Sequence, residues 1–301
     1  MSATATQVTQ LTAPDQTVEA PNGVSYAYRR LGEPSASAPP LVSFQHFRGN
    51  LDNWDPALVD SLARTREVIL FDNAGVGGST GSVPRTVTAM AHDALSFIDA
   101  LGLREIDVLG FSLGGYVAQE LVLIRPRLVR RLVLAGTGPQ GGEDMHGFTD
   151  EIFAHANRDQ PGAEDILALF YERTETSLSK GKESLQRIFT RAEDRDARAT
   201  LEVRDAQLDA ITTWGIPDPS RLGRLAGITQ PVLVANGDND RVVPTKNSHL
   251  LAERLPNARL KIYPDAGHGF LFQYPAEFAG EVERFLNDAR SAPDSQQERS
   301  R

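Results

Sequence analysis

The chain has 301 residues, 40% of them hydrophobic and 24% charged, enough for one large core or a core with a subordinate cap. Its formal charge of −9 argues against nucleic acid and anionic membranes as default partners; it says little about a small-molecule substrate, because local charge in a pocket can oppose the global sign, and it leaves assembly into identical copies open. The absence of cysteine excludes a thiol nucleophile, thiolate metal sites and disulfides.

Residues 1–15 are small and polar and are expected to be flexible. They contain neither a basic start nor an apolar stretch, so no signal peptide is expected, and no run approaches the length of a membrane span. A cytoplasmic location is the simplest expectation.

Residues 24–31 read as an antiparallel-type strand. Residues 41–44, 67–71, 106–109, 131–134 and 232–235 are nearly continuous in Val, Ile, Leu and Phe, the texture of strands buried on both faces. Residues 258–263 suggest one more strand. Between them lie helical patterns over 86–101, 113–124, 247–254 and 275–287. This alternation predicts an α/β fold with a mostly parallel central sheet flanked by helices. From 138 to 227 no strand pattern occurs; charge-rich segments over 164–174, 183–192 and 198–214 read as helices. The expected organisation is a core of 16–137 and 228–288, a helical cap insertion over 138–227, and a solvated tail over 289–301.

The stretch IDVLGFSLGGY (106–116) carries the chemistry. An apolar strand ends at Gly110, and a helical segment follows Ser112. Gly110-Phe111-Ser112-Leu113-Gly114 therefore fits G-x-S-x-G in the strand–turn–helix setting that lifts a serine hydroxyl above the end of a sheet. The glycines let neighbouring backbone pass close to the turn, and the helix start favours a developing oxyanion.

At this point the chain resembles the α/β-hydrolase superfamily, over roughly residues 20–288. Within it the chain is similar to the branch of metal-free haloperoxidases, esterases and lactone hydrolases with short helical caps. The segments VILFDNAGVGGS (68–79) and VRRLVLAGTGP (129–139) carry that likeness. The resemblance implies Ser112 as nucleophile. It also implies His268, in PDAGHGFLFQYP (264–275), as general base, and Asp240, in VLVANGDNDRVVP (232–244), as the orienting acid. Asp238 is the nearest rival for the acid and is expected to cap its own turn.

In LVSFQHFRGNLDNW (41–54), counting back from Trp54 places Gln45 at the family's usual His, His46 at its Gly and Phe47 at its backbone donor. The implied oxyanion hole is the amides of Phe47 and Leu113. His46 departs from the pattern, because a side chain now stands where the family has none. Gln45, His46, Phe148, Trp214 and Phe270 are candidate pocket residues. No His/Asp/Glu cluster has metal-ligand spacing, and the chemistry needs no cofactor. The expected activity is hydrolysis of a small, largely apolar ester, lactone or thioester through an acyl-enzyme. Cofactor-free perhydrolysis (haloperoxidase chemistry), C–C bond hydrolysis on the same triad, and a receptor-like binding role with little turnover stay open.

Overall fold

The computed structural model describes residues 8–35 and 38–288. Eight strands form one sheet: β1 (Gln16–Glu19), β2 (Ser25–Leu31), β3 (Leu41–Phe44), β4 (Val68–Phe71), β5 (Ile106–Phe111), β6 (Val129–Ala135), β7 (Val232–Gly237) and β8 (Ala258–Tyr263). Their spatial order is β1-β2-β4-β3-β5-β6-β7-β8. The β1–β2 and β2–β4 pairings are antiparallel, and every later pairing is parallel.

The central strands bury both faces. Val42, Ile69, Val108 and Leu134 pack to one side, while Leu41, Leu70, Leu109 and Val133 pack to the other. That alternation explains why these strands read as unbroken apolar runs. The first side is covered by α2 (Val87–Ala100), α3 (Leu113–Ile124) and α8 (Lys246–Arg254). The second is covered by α1 (Pro56–Leu62) and α10 (Pro275–Leu286), next to the single turn of α9 (Phe270–Gln273). Chain order reverses between β3 and β5, so a crevice opens above their C-terminal ends, the usual place for a ligand in such a sheet.

Residues 138–227 hold α4 (Asp150–Ala156), α5 (Ala163–Phe170), α6 (Glu175–Ile188), α7 (Leu201–Trp214) and a 3-10 stretch, Pro219–Gly227, with no strand among the described residues. Thr149, Thr174 and Thr200 start α4, α6 and α7 by accepting hydrogen bonds from the amides of Ile152, Ser177 and Val203. Each such cap contributes about 1 kcal/mol. Polar ties fasten these helices to the sheet domain. Arg187 of α6 forks onto the buried carboxylate of Asp55 at 2.8 and 2.7 Å, and that carboxylate also caps α1 by accepting from the Ala57 amide. Arg48 donates to the carbonyls of Arg158 and Asp159.

Part of the N-terminal segment packs onto the rest of the chain. Gln10 and Ala13 are buried, and the Gln10 amide donates to Asp60 at 2.7 Å. Arg191 donates to the carbonyls of Gln10, Leu11 and Ala13, so the helical insertion itself pins this segment. Residues 1–7 and the expected tail over 289–301 lie outside the described residues. No helix among the described residues is long and apolar enough to cross a membrane.

Candidate active site

Ser112 sits between β5 and α3 with φ 56° and ψ −120°, a left-handed backbone that a serine adopts only under constraint. Three hydrogen bonds impose it. The Ser112 amide donates to the Ala135 carbonyl at 2.9 Å, extending the ladder to β6. The Ser112 carbonyl accepts from the Gly115 amide at 2.8 Å and from the Thr137 hydroxyl at 2.9 Å. The glycines make this turn fit. A Cβ on Gly110 would lie 2.6 Å from the Gly114 carbonyl oxygen and 2.7 Å from Gly115 Cα, and one on Gly114 would strike the Phe44 carbonyl. Gly110→Ala must therefore shift backbone. The expected loss is about 3 kcal/mol or more. A thermal melt should show it as a Tm lower by roughly 6–12 °C.

His268 follows β8, and its Nδ1 lies 2.7 Å from Asp240 Oδ2 in a fully buried pair. The carboxylate can only accept, so Nδ1 is the donor, and Nε2 has no hydrogen-bond partner among the described residues. Asp240 follows β7 and is itself fixed, because its Oδ1 accepts from the amides of Val242 (2.8 Å) and Val243 (2.9 Å). Asp238 does something other than capping its own turn. It accepts from the amides of Asp265 and Ala266 at 3.0 and 3.1 Å, bracing the loop that carries His268.

Ser112 and His268 line one cavity of about 150 Å³. Among the described residues the Ser112 hydroxyl makes no hydrogen bond to protein, so it opens onto that cavity. The wall above is apolar and comes from the helical insertion: Phe148, Ile166, Phe170, Leu185 and Ile188. Phe170 is the central contact there. Its ring meets Phe111, His268 and His46 edge-on at 6.0, 5.5 and 5.2 Å, and its carbonyl accepts from the Gly269 amide next to His268. Sequence reasoning did not single it out; its signal is the apolar run ILALF in a charge-rich stretch.

The remaining candidates divide. His46, Phe47 and Phe148 line the cavity. Leu113 opens α3, so its amide has no partner within the helix. Gln45, Trp214 and Phe270 do not belong to the wall. Gln45 is buried within its own loop, where Nε2 donates to the Asn50 carbonyl and Oε1 accepts from the His46 amide. Trp214 stacks on Tyr116 at 5.3 Å and donates to the Gly138 carbonyl, clasping the end of α7 to α3. Phe270 packs into the core against Tyr263 and Phe278. His155 of α4 is an addition: it lines the cavity with Nδ1 held 2.7 Å from Asp165. Asp72, at the end of β4, serves its turn by accepting from the Leu51 and Gly78 amides, and burial pushes its carboxyl well up.

The family model described as the alpha/beta hydrolase fold matches residues 39–275. The chain belongs to the α/β-hydrolase fold family. A solved α/β-hydrolase fold protein from Chitinophaga pinensis is 46% identical with a TM-score of 0.87, over 93% of this chain and 100% of that one. A putative carbamate hydrolase RutD of Caulobacter sp. (strain K31) is 28% identical, over 85% of this chain and 93% of its own length. A putative non-heme bromoperoxidase BpoC of Mycobacterium tuberculosis (strain ATCC 25618 / H37Rv) is also 28% identical, over 78% and 89%. This α/β hydrolase is thus an enzyme of hydrolase type, related to the branch that holds such haloperoxidases and esterases. No group of three or more His, Asp or Glu among its described residues could hold a metal ion.

Proposed function

We propose that this α/β hydrolase cleaves small, largely apolar carboxylic esters, lactones or thioesters through an acyl-enzyme on Ser112. The observation that carries this reading is the 2.7 Å contact of His268 Nδ1 with Asp240, which leaves Nε2 bare in the cavity shared with the serine hydroxyl. In the first step Nε2 takes the Ser112 proton as Oγ attacks the acyl carbon. The amides of Phe47 and Leu113 hold the resulting oxyanion, each contributing about 3–4 kcal/mol. The imidazolium, stabilised by Asp240, then protonates the leaving group. Water, deprotonated by the same nitrogen, releases the acid. The helices over 138–227 act as a cap that keeps bulk water from the acyl-enzyme.

The apolar wall favours an uncharged acyl group over a charged one. Perhydrolysis, with peroxide in the place of water, is the second reading, favoured by the likeness to the bromoperoxidase. Both readings share the acyl-enzyme, so its detection is the test. Stopped-flow mixing with p-nitrophenyl butanoate should release a burst of p-nitrophenolate stoichiometric with enzyme. A fluorophosphonate should add to the peptide that contains Ser112. An enzyme that hydrolyses esters but gives neither burst nor adduct refutes the covalent mechanism; absence of turnover on every ester refutes the function.

A further inference from the structure

The cavity contains a second imidazole that the mechanism does not use. His46 lies in the loop after β3, and its ring packs edge-on against Phe111 (5.4 Å) and Phe170 (5.2 Å). Those same two phenyl rings bracket His268, at 5.0 and 5.5 Å, so the two histidines flank one aromatic pair. His46 Nδ1 lies 2.8 Å from the carbonyl oxygen of Phe47. A carbonyl only accepts, so Nδ1 carries the proton and Nε2 presents a lone pair.

That nitrogen is reachable and unused. Among the described residues no protein group donates to it, and it is not among the buried polar atoms sealed off without a partner. His46 also lines the cavity that holds Ser112. Burial pushes the His46 imidazole down to about 4; the Phe47 carbonyl opposes this, and the nearby His268 reinforces it. His46 is therefore neutral at ordinary pH, and its Nε2 acts as an acceptor rather than a donor. The ring cannot turn to offer N–H instead without losing its bond to Phe47. Gln45 reinforces the arrangement by accepting from the His46 amide and donating to the Asn50 carbonyl, which fixes the loop at both ends. An acceptor held among phenyl rings is poorly solvated. A substrate that supplies a donor there is favoured over one that leaves it unpaired.

We propose that His46 is a specificity residue, and that the preferred substrates are acyl esters bearing a hydroxyl or amide N–H on the acyl group near the scissile carbonyl. This rests on the ester-hydrolase reading above and adds the chemical class of acyl group. The acyl side is assigned because the His46 ring is anchored on the carbonyl of Phe47, the residue whose amide is the proposed oxyanion donor beside the scissile carbonyl.

The test compares p-nitrophenyl pentanoates carrying a hydroxyl at C2 or C3 with isosteric esters carrying a methyl group there. Wild type should favour the hydroxyl ester at one position by about tenfold or more in kcat/KM. His46→Phe keeps an aromatic ring but removes the acceptor, and it should bring that ratio close to one. Because the readout is a ratio within each protein, a general loss of folding or of rate in the variant does not imitate the result. A preference that persists in His46→Phe, or a wild-type ratio near one at both positions, overturns the assignment. Equilibrium titration of the same esters onto Ser112→Ala gives a Kd ratio that needs no turnover. If wild type hydrolyses neither ester yet the Kd ratio favours the hydroxyl and is lost in the double variant with His46→Phe, the ester-hydrolase reading fails while the acceptor role stands. A Kd ratio near one overturns the acceptor role.

Discussion

Ser112→Ala is expected to lower kcat on p-nitrophenyl esters by roughly 10⁴–10⁶-fold, leave KM within a few-fold and abolish labelling by a fluorophosphonate. The size follows from the division of labour in the site. On the proposed mechanism the remaining groups would still bind the ester and still offer the Phe47 and Leu113 amides to a developing oxyanion. They can therefore assist direct attack by water, but no acyl-enzyme forms. Alanine keeps the Cβ and so keeps the strain of φ 56°, and the three hydrogen bonds that impose this backbone all come from main-chain atoms of Ser112. The fold should consequently survive, and circular dichroism and Tm should stay near wild type. A variant that is folded and retains a tenth of the rate would show that another group is the nucleophile.

Ser112 and Asp240 are legible in the sequence because each follows the C-terminal end of a strand that announces itself, whereas His268 follows the half-exposed edge strand β8 and is read from its own loop. Strands β3 to β7 are buried on both faces, so their apolar runs need no knowledge of neighbours to be read. The edge strand β1, Gln16–Glu19, alternates half-buried with exposed residues over only four positions and gives no such signal. Helices α1, α4 and α9 are too short to display a period. Directions of side chains are harder to read than positions of elements. Phe270 and Phe272 are two residues apart on α9, about 200° around the helix. The first therefore faces the core and the second the cavity, and which does which is set by packing against Tyr263 and Phe278. Trp214 ends α7 and is drawn inward by its stack on Tyr116, a contact nearly a hundred residues away in the chain. Phe170 owes its importance wholly to tertiary structure, since it is the meeting of α5 with the His268 loop that places its ring there.

Asp240→Asn is expected to cost about 10⁴-fold in kcat while the site keeps its shape. The carboxylate divides its duties: Oδ1 holds the Val242 and Val243 amides, and Oδ2 holds His268 Nδ1. Asparagine can satisfy the two amides only with its carbonyl oxygen, which turns its NH₂ toward the imidazole. A donor at that place forces Nδ1 to become the acceptor, so the ring proton moves to Nε2. A protonated Nε2 cannot take the Ser112 proton, and the serine is left as an ordinary hydroxyl. Asp238→Asn supplies the contrast. Asp238 acts on the main chain of Asp265 and Ala266, not on the ring. Asparagine has one acceptor oxygen where the carboxylate uses two, so one loop amide loses its partner; this should loosen the loop and lower kcat by only about tenfold, the cost of one lost hydrogen bond. The pair of variants separates an acid that sets a tautomer from one that braces a loop. Rates on a p-nitrophenyl ester decide between them: if Asp240→Asn stays within tenfold of wild type, or Asp238→Asn proves the more damaging, the proton path through His268 is not the one drawn above.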